Sequence, residues 1–152
     1  MDEPLLHNLG ETLSREMPIT RSMEVETVSW EGQRLAMKMP LEPNRNHQYS
    51  AFAGSLNTLC TVVGWGTVYL LLAQKGLTGN VVIRRGSIRY LRPVRVPEIV
   101  ALGQPIDPDS LDFFFEFLES KGKSKLDLAV EIADAQGPYV KFKGSYVIHG
   151  HC

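Results

Sequence analysis

The run from residue 46 to residue 74 contains no Asp, Glu, Lys or Arg, and it constrains the fold more than any other feature of the chain. A transmembrane helix needs about 20 mainly apolar residues. Polar residues fall in the first third of this run, however, and the strictly apolar block 68–73 is too short to span a bilayer. The run also lacks the polar stripe of a surface helix. The sequence therefore predicts no membrane span, but a helix over residues 54–75 that protein encloses on all sides.

Size and charge favour one globular domain over residues 1–152. Of the 152 residues, 43% are hydrophobic and 22% are charged, which suffices for a sizeable core. Lys plus Arg number 16 and Asp plus Glu number 17. This balance gives no reason to expect nucleic acid or an anionic membrane as a partner, so any anion site must be local.

The cysteines and the N-terminus bear on the compartment. Cys60 and Cys152 show no metal or disulfide spacing, so we interpret both as free thiols in a reducing environment. The first thirty residues lack the basic start and apolar middle of a secretory signal. A cytoplasmic location follows as an expectation. The His-Gly-His-Cys end, residues 149–152, lacks further ligands, and we assign it no metal.

Secondary-structure patterns surround the apolar run. Four leucines at helical spacing predict an amphipathic helix over residues 3–16, and two strand-like runs then flank a turn at residues 31–33. Beyond the long helix, five strand candidates follow at residues 80–94, 97–106, 110–120, 125–134 and 139–149, with turns at residues 121–123 and 136–138. About seven strands, one short helix and one long helix predict an α+β fold in which a curved antiparallel sheet closes around the long helix.

Several stretches carry a family resemblance that covers most of the chain. They are "MPITRSMEVETVSWEGQRLAMKMPLEPNRNHQYSAFAGSL", "GWG", "IRYLRPVRVPEIVA" and "FKGSYVI". Together they resemble hotdog-fold thioesterases, in particular the putative thioesterase family typified by the YiiD C-terminal domain. The resemblance implies a homodimer or a dimer of dimers, with active sites at the subunit boundary. It also implies fatty acid metabolism and an acyl thioester substrate, on coenzyme A or acyl carrier protein, with no cofactor beyond the coenzyme A or phosphopantetheine of the substrate.

Thioester hydrolysis needs donors that hold the carbonyl oxygen as it becomes an oxyanion. A helix that begins near Ala53 and Gly54 leaves backbone N–H groups unpaired, with the positive end of the helix dipole behind them. Hotdog thioesterases have at this point a motif similar to Asn, six residues and Gly-Gly, which Asn46 and Ala53-Gly54 match here. The chain has Tyr49-Ser50 where relatives tend to have Gly-Thr.

A general base is harder to assign. Many hotdog thioesterases carry an Asp or Glu one to two turns into the helix, a position that Thr61 occupies in this chain. Asn46 and His47 remain as candidates for the general base, and Ser55, Asn57 or Thr61 could orient the water. His47 could equally be a plain loop histidine, Asn46 a turn residue and Ser55 a helix cap.

Cationic and aromatic residues supply candidates for substrate binding. Five arginines lie within twelve residues, and they suit either the phosphates of the carrier or ion pairs across the sheet: Arg84, Arg85, Arg89, Arg92 and Arg95. Arg89 and Arg92, inside the family-like "IRYLRP", are the better candidates for phosphate. Four aromatic residues could line an acyl tunnel or belong to the core: Phe52, Trp65, Phe113 and Phe115.

Acyl thioesterase is thus the leading prediction. A noncatalytic acyl-binding module is the alternative, because the helix lacks a carboxylate. A hotdog dehydratase comes third, since the acid partner that it needs is not found, and RNA binding comes last.

Overall fold

The computed structural model describes residues 3–150, which form one antiparallel sheet and the helices that pack on it. The helices are α1 (Glu3–Glu16), α2 (Ile19–Ser22), α3 (Ala53–Gln74) and α4 (Pro108–Lys121). The strands are β1 (Glu26–Glu31), β2 (Arg34–Pro40), β3 (Gly79–Tyr90), β4 (Glu98–Gly103), β5 (Lys123–Asp134) and β6 (Gly137–Gly150). Their order in the sheet is β1-β2-β4-β5-β6-β3. A six-stranded sheet around a long central helix confirms the hotdog architecture, with six strands instead of about seven.

Helix α3 follows the predicted bounds and forms the centre of the core. It ends before Gly76, whose positive φ of 69° closes the last turn. Gly64 and Gly66 are buried, Gly64 against Tyr146 of β6 and Gly66 against Leu35 of β2, and the indole of Trp65 donates a hydrogen bond to the carbonyl of Val81 in β3, at 2.8 Å. Although α3 is long and apolar enough to cross a bilayer, 67% of its most apolar window is buried inside the fold. We therefore assign it as the core helix and not as a membrane span.

Enclosure of α3 on all sides was predicted, and this detail is wrong for the single chain. A stripe of partly exposed residues runs along one face of the helix: Gly54, Ser55, Asn57, Thr58, Thr61, Trp65 and Tyr69. The stripe has helical spacing, but its residues are uncharged, so hydropathy does not separate it from the buried faces.

Helix α1 covers part of the remaining surface of α3, as predicted. Leu6, Leu9 and Leu13 are buried, and Leu9 lies over Gly66, where an added Cβ would come within 3.1 Å of the leucine. Pro18 follows the end of α1, and α2 is a single turn that the sequence did not predict. The turn at residues 31–33 joins β1 to β2, which confirms the predicted hairpin.

The segment 110–120 is helical, so the predicted strand there is wrong. Asp107 accepts a hydrogen bond from the backbone N–H of Ser110 at 3.0 Å, Pro108 occupies the first turn, and Gly122 closes the helix with φ 73°. These caps define α4, whose Phe114 and Leu118 are buried. The turn predicted at residues 121–123 is therefore the C-terminus of a helix. The turn at residues 136–138, in contrast, joins β5 to β6 as predicted.

Candidate active site

The loop before α3 is held by Asn46. Its side-chain oxygen accepts hydrogen bonds from the backbone N–H groups of Gln48 (2.8 Å) and Ser50 (3.2 Å), and its amide group donates to the Ser50 hydroxyl at 3.0 Å. The backbone N–H of Asn46 also donates to the Ser50 carbonyl at 2.7 Å. Asn46 thus closes the loop as a turn residue, one of the two roles predicted for it, and this loop sets where α3 begins.

Two backbone amides are left without partners at the start of α3. Phe52, the residue before the helix, is extended (φ −65°, ψ 132°) and supplies no side-chain cap. Its carbonyl accepts hydrogen bonds from the N–H groups of Ser55 and Leu56. The N–H groups of Ala53 and Gly54 have no acceptor within residues 3–150. Both amides predicted as oxyanion donors thus lack a protein acceptor in the described part of the chain, and their role as oxyanion donors stays a prediction.

Phe52 and Tyr90 flank this pair of amides. The ring of Phe52 lies over Gly54, where an added Cβ would be 2.4 Å from a ring carbon, and the ring is 55% exposed. The Tyr90 hydroxyl, from the end of β3, donates a hydrogen bond to the Ala53 carbonyl at 3.2 Å. Tyr90 is not among the residues predicted for the site, although alternation along β3 places it on the same face as Ile88.

The other candidates for water activation differ in their surroundings. His47 is exposed in the loop, and its side chain makes no hydrogen bond within the described part of the chain. Ser55 does not cap α3, because the capping position is Phe52. The Thr61 hydroxyl donates to the side-chain oxygen of Asn57, one turn before it in α3, at 3.4 Å. These two residues therefore form a polar face on the exposed stripe of the helix.

Arg92 is engaged within the protein. Its guanidinium donates two hydrogen bonds to Asp134 and one to the carbonyl of Gly137, and it lies 3.9 Å from the ring centre of Tyr139. The bond from Arg92 and a second from the Tyr139 hydroxyl hold the pKa of Asp134 well below its usual value. These contacts tie the loop after β3 to the β5–β6 turn. Substrate binding by Arg92 stays a prediction.

Arg89 points away from the helix. It pairs with Lys141 of β6, while its neighbours Ile88 and Tyr90 pair with buried Phe142 and Val140. Since side chains alternate between the two faces of a strand, Arg89 lies on the outer face of the sheet. Its role as a phosphate ligand stays a prediction, as do those of Arg84, Arg85 and Arg95.

The predicted tunnel aromatics are not brought together at the helix start. Trp65 lies three turns into α3 and stacks on Tyr69 at 5.5 Å. Phe115 packs under Lys75, just beyond the end of α3, with the ammonium 4.7 Å from the ring centre. Phe113 belongs to the same helix α4 and is exposed. Of the four aromatics, Phe52 is the one beside the unpartnered amides.

Cys60 lies in α3, and the structure shows its side chain fully buried. Burial raises the pKa of its thiol to about 12. Such a thiol is a poor nucleophile, which leaves the helix start without an activated cysteine. Cys152 lies outside the described residues. Within those residues, no three His, Cys, Asp or Glu side chains are grouped so as to hold a metal ion.

The six-stranded antiparallel sheet around the long helix α3 places this protein in the class of hotdog-fold proteins. A model described as "Putative thioesterase (yiiD_Cterm)" matches residues 6–150. The chain belongs to this putative thioesterase family.

Solved structures agree with this assignment. A Chlorobaculum tepidum protein of unknown function is 32% identical, with a TM-score of 0.91, and the match covers 97% of this chain and 95% of that one. A putative thioesterase from Shewanella oneidensis is 30% identical, with a TM-score of 0.86 and coverage of 98% and 99%. A hypothetical thioesterase from Streptococcus pneumoniae, solved with coenzyme A, shares the fold at 18% identity, a TM-score of 0.58 and coverage of 84% and 90%.

Proposed function

We propose that the protein is an acyl thioesterase that hydrolyses the thioester of an acyl group on coenzyme A or acyl carrier protein. The pair of unpartnered amides at Ala53 and Gly54 carries this proposal. A carbonyl oxygen that accepts from both amides gains negative charge as water adds to its carbon, and the helix dipole stabilises that charge.

The reaction consumes one water. Its oxygen bonds to the acyl carbon, the carbon–sulfur bond breaks, and the products are a carboxylic acid and a free thiol. In our proposal His47 accepts the proton of the attacking water and returns it to the departing sulfur. Asn46 acts by holding the loop that sets the start of α3. The coenzyme A in the Streptococcus pneumoniae structure supports coenzyme A as one carrier.

Replacing Ala53 by proline tests the role of the amides. Proline lacks the N–H, is well tolerated at the first position of a helix, and follows a residue, Phe52, whose extended backbone suits it. With a short panel of acyl-CoA substrates and a free-thiol readout, we expect Ala53→Pro to lower kcat by about 100-fold, as for other lost oxyanion donors. Ala53→Ser keeps the N–H and is the control. Equal turnover of the two variants would overturn the proposal.

We further propose a homodimer joined through β3. This strand of 12 residues forms one edge of the sheet, and the exposed apolar residues Val82, Tyr90 and Leu91 lie on it or directly after it. A long unpaired edge with apolar side chains is a site for association with another strand. Light scattering should give twice the mass of the chain, and the mass of a single chain would contradict this part of the proposal. A cytoplasmic location stays a prediction.

A noncatalytic acyl-binding module is the second candidate, favoured by one observation. Helix α3 contains no Asp or Glu, the residue types that many hotdog thioesterases use at this point. If the protein is such a module, we expect saturable binding of an acyl-CoA and no release of thiol at any chain length. Turnover that Ala53→Pro abolishes while ligand binding persists would exclude it.

A further inference from the structure

A cleft of about 530 Å³ opens beside α4, where β5 begins and β6 ends. Its apolar wall comes from Phe113 and Phe117 of α4 and from Val147 of β6. Arg84, Lys123 and Lys125 surround this wall with positive charge. The cleft falls within the size range of small-molecule sites.

The cleft lies at the far end of α3 from the helix start. Helix α4 reaches the C-terminal end of α3, where Lys75 lies over the ring of Phe115. The end of β6 lines the cleft and pairs with the beginning of β3, where Val147 lies opposite Val82. Tyr90, at the other end of β3, is the residue that contacts Ala53. Helix α3 has 22 residues and is about 33 Å long, and the cleft lies toward the end opposite the helix start, so it is a separate site within one chain.

An exposed aromatic pair forms the wall of the cleft. Phe113 is 57% exposed, and its ring stacks on that of Phe117 with 5.5 Å between centres. The pair is fixed on a capped helix, so little ordering would be needed on binding. A hydrocarbon chain laid against these rings would remove apolar surface from water, which is favourable in proportion to the area.

The charged side chains that line the cleft are Arg84, Lys123 and Lys125, whereas aspartates line the neighbouring cleft on the other side of Phe113 and Lys125. No Asp or Glu is among the residues that line the cleft of about 530 Å³. Within residues 3–150, Arg84, Lys123 and Lys125 have no carboxylate within 4 Å. The whole chain has a net charge of −1, so this concentration of unpaired cations is local. An anionic group complements it.

We propose that this cleft binds a medium-chain fatty acid, with the hydrocarbon chain against Phe113 and Phe117 and the carboxylate among the three cations. Apart from those cations, Ser124 and His149 are the polar residues of the lining, and Ser124 is buried. The lining thus offers few groups that could bond the edge of a nucleotide base, which favours a plain chain with an anionic head. This binding site does not depend on the proposed hydrolysis.

Calorimetry with two amphiphiles of equal chain length tests the choice of ligand. Decanoate and decyltrimethylammonium differ in the sign of the head group and have similar apolar surface. Below their micelle concentrations, we expect saturable binding of decanoate and at least about tenfold weaker binding of the cation, because the charged residues of the lining are all cationic. Equal binding of both, or no binding of decanoate, would overturn the proposal.

Variants and methyl NMR locate the site. Phe113→Asp puts a carboxylate on the apolar wall at an exposed position, and it should weaken decanoate binding at least about tenfold. Leu77→Asp is the matched control, since Leu77 is 42% exposed and outside the cleft, and it should leave binding within about twofold. In the wild type, decanoate should shift the methyl signals of Val147 and Ile148.

Three results would reject the assignment. Decanoate shifts at Leu56 and Leu59, near the helix start, would place the ligand elsewhere. A change of oligomeric mass in Phe113→Asp with unchanged decanoate binding would mean that a second copy of the chain covers the cleft. Binding of 3′,5′-ADP with the same dependence on Phe113, without binding of decanoate, would assign the cleft to a nucleotide.

Discussion

The hydroxyl of Tyr146 on β6 donates a hydrogen bond to the carbonyl of Thr61 in α3, with 2.8 Å between the oxygens. Burial raises the pKa of this phenol, so the hydroxyl stays a donor. The ring reaches the helix because Gly64 has no side chain beneath it. An added Cβ would lie 2.1 Å from the hydroxyl oxygen.

Replacing Gly64 by alanine should therefore destabilise the fold. Tyr146 is 1% exposed and cannot move aside without disturbing the core, so we expect a loss of about 2 kcal/mol in the free energy of unfolding. Urea unfolding measures it. Gly10→Ala, in α1, is the control, because an added Cβ there meets its nearest atom at 4.0 Å and should stabilise the helix by up to about 1 kcal/mol. Equal stability of the two variants would contradict the packing argument.

Asp134→Asn should change the pH dependence of stability. The bond from Arg92 lowers the pKa of Asp134 in the folded protein below the ordinary aspartate value of 3.8. A carboxyl with a lowered folded pKa stabilises the fold above its unfolded pKa, and that contribution is lost as pH falls through the folded value. Wild type should thus exceed the variant in urea midpoint at pH 7, and the gap should narrow as the pH falls below 3.8. A difference in urea midpoint that is the same at pH 7 and at the acidic end of the series would contradict a stabilising ion pair between Arg92 and Asp134.

Two substitutions of Asn46 distinguish its role in the loop structure from a direct role in the reaction. Asn46→Asp keeps the oxygen that accepts from Gln48 and Ser50, whereas Asn46→Ala removes it. We expect the alanine variant to lose about 1–2 kcal/mol of stability and much of the turnover, and the aspartate variant to keep both. An aspartate variant that is stable but inactive would show that the amide group itself takes part in the reaction.

His47→Ala tests the proposed base. Because His47 is exposed and unbonded within the described residues, its loss should leave the urea midpoint unchanged and lower kcat by about 100-fold. Binding of a nonhydrolysable thioester analogue should persist. The control is His7→Ala, another exposed histidine, on α1. Wild-type turnover in His47→Ala would assign water activation to a different group.

Cys60 should resist alkylation in the folded protein. With a thiol pKa of about 12, only about one molecule in 10⁴ carries the thiolate at pH 8, and the side chain is also buried. In a Cys152→Ser background, mass spectrometry should detect no iodoacetamide adduct until denaturant unfolds the chain. Rapid labelling without denaturant would contradict the burial of Cys60.

Part of this structure could be predicted from sequence because the patterns were unambiguous. The charge-free run gave α3 within one residue at each end, and alternation gave the β5–β6 hairpin. The segment 110–120 misled the prediction, since Leu111, Phe113 and Phe115 satisfy a period of two, while Phe114 and Leu118 satisfy a helix. The decisive signals were the caps, Asp107-Pro108 before the segment and Gly122 after it.

The backbone amides of the site could be predicted from the sequence. The side-chain contacts between residues of different strands and loops could not. A helix start at Ala53 implies free amides whatever the side chains are. The contact of Tyr90 with Ala53 and the bond of Arg92 to Asp134 join residues that are far apart in the sequence. The register of the paired strands determines which of these distant residues come into contact. That register depends on the pairing of all the strands in the sheet.

Strand β4 pairs with only three residues of β5, Val130, Glu131 and Ile132, and α4 takes its place beside the first part of β5. One end of the sheet is thus bordered by a helix, whose outward residues are not constrained by ladder hydrogen bonds. Substitutions on the outward face of α4 can therefore alter the surface at this end of the molecule without breaking a ladder of the sheet, while the backbone that sets the start of α3 at the opposite end is left unchanged.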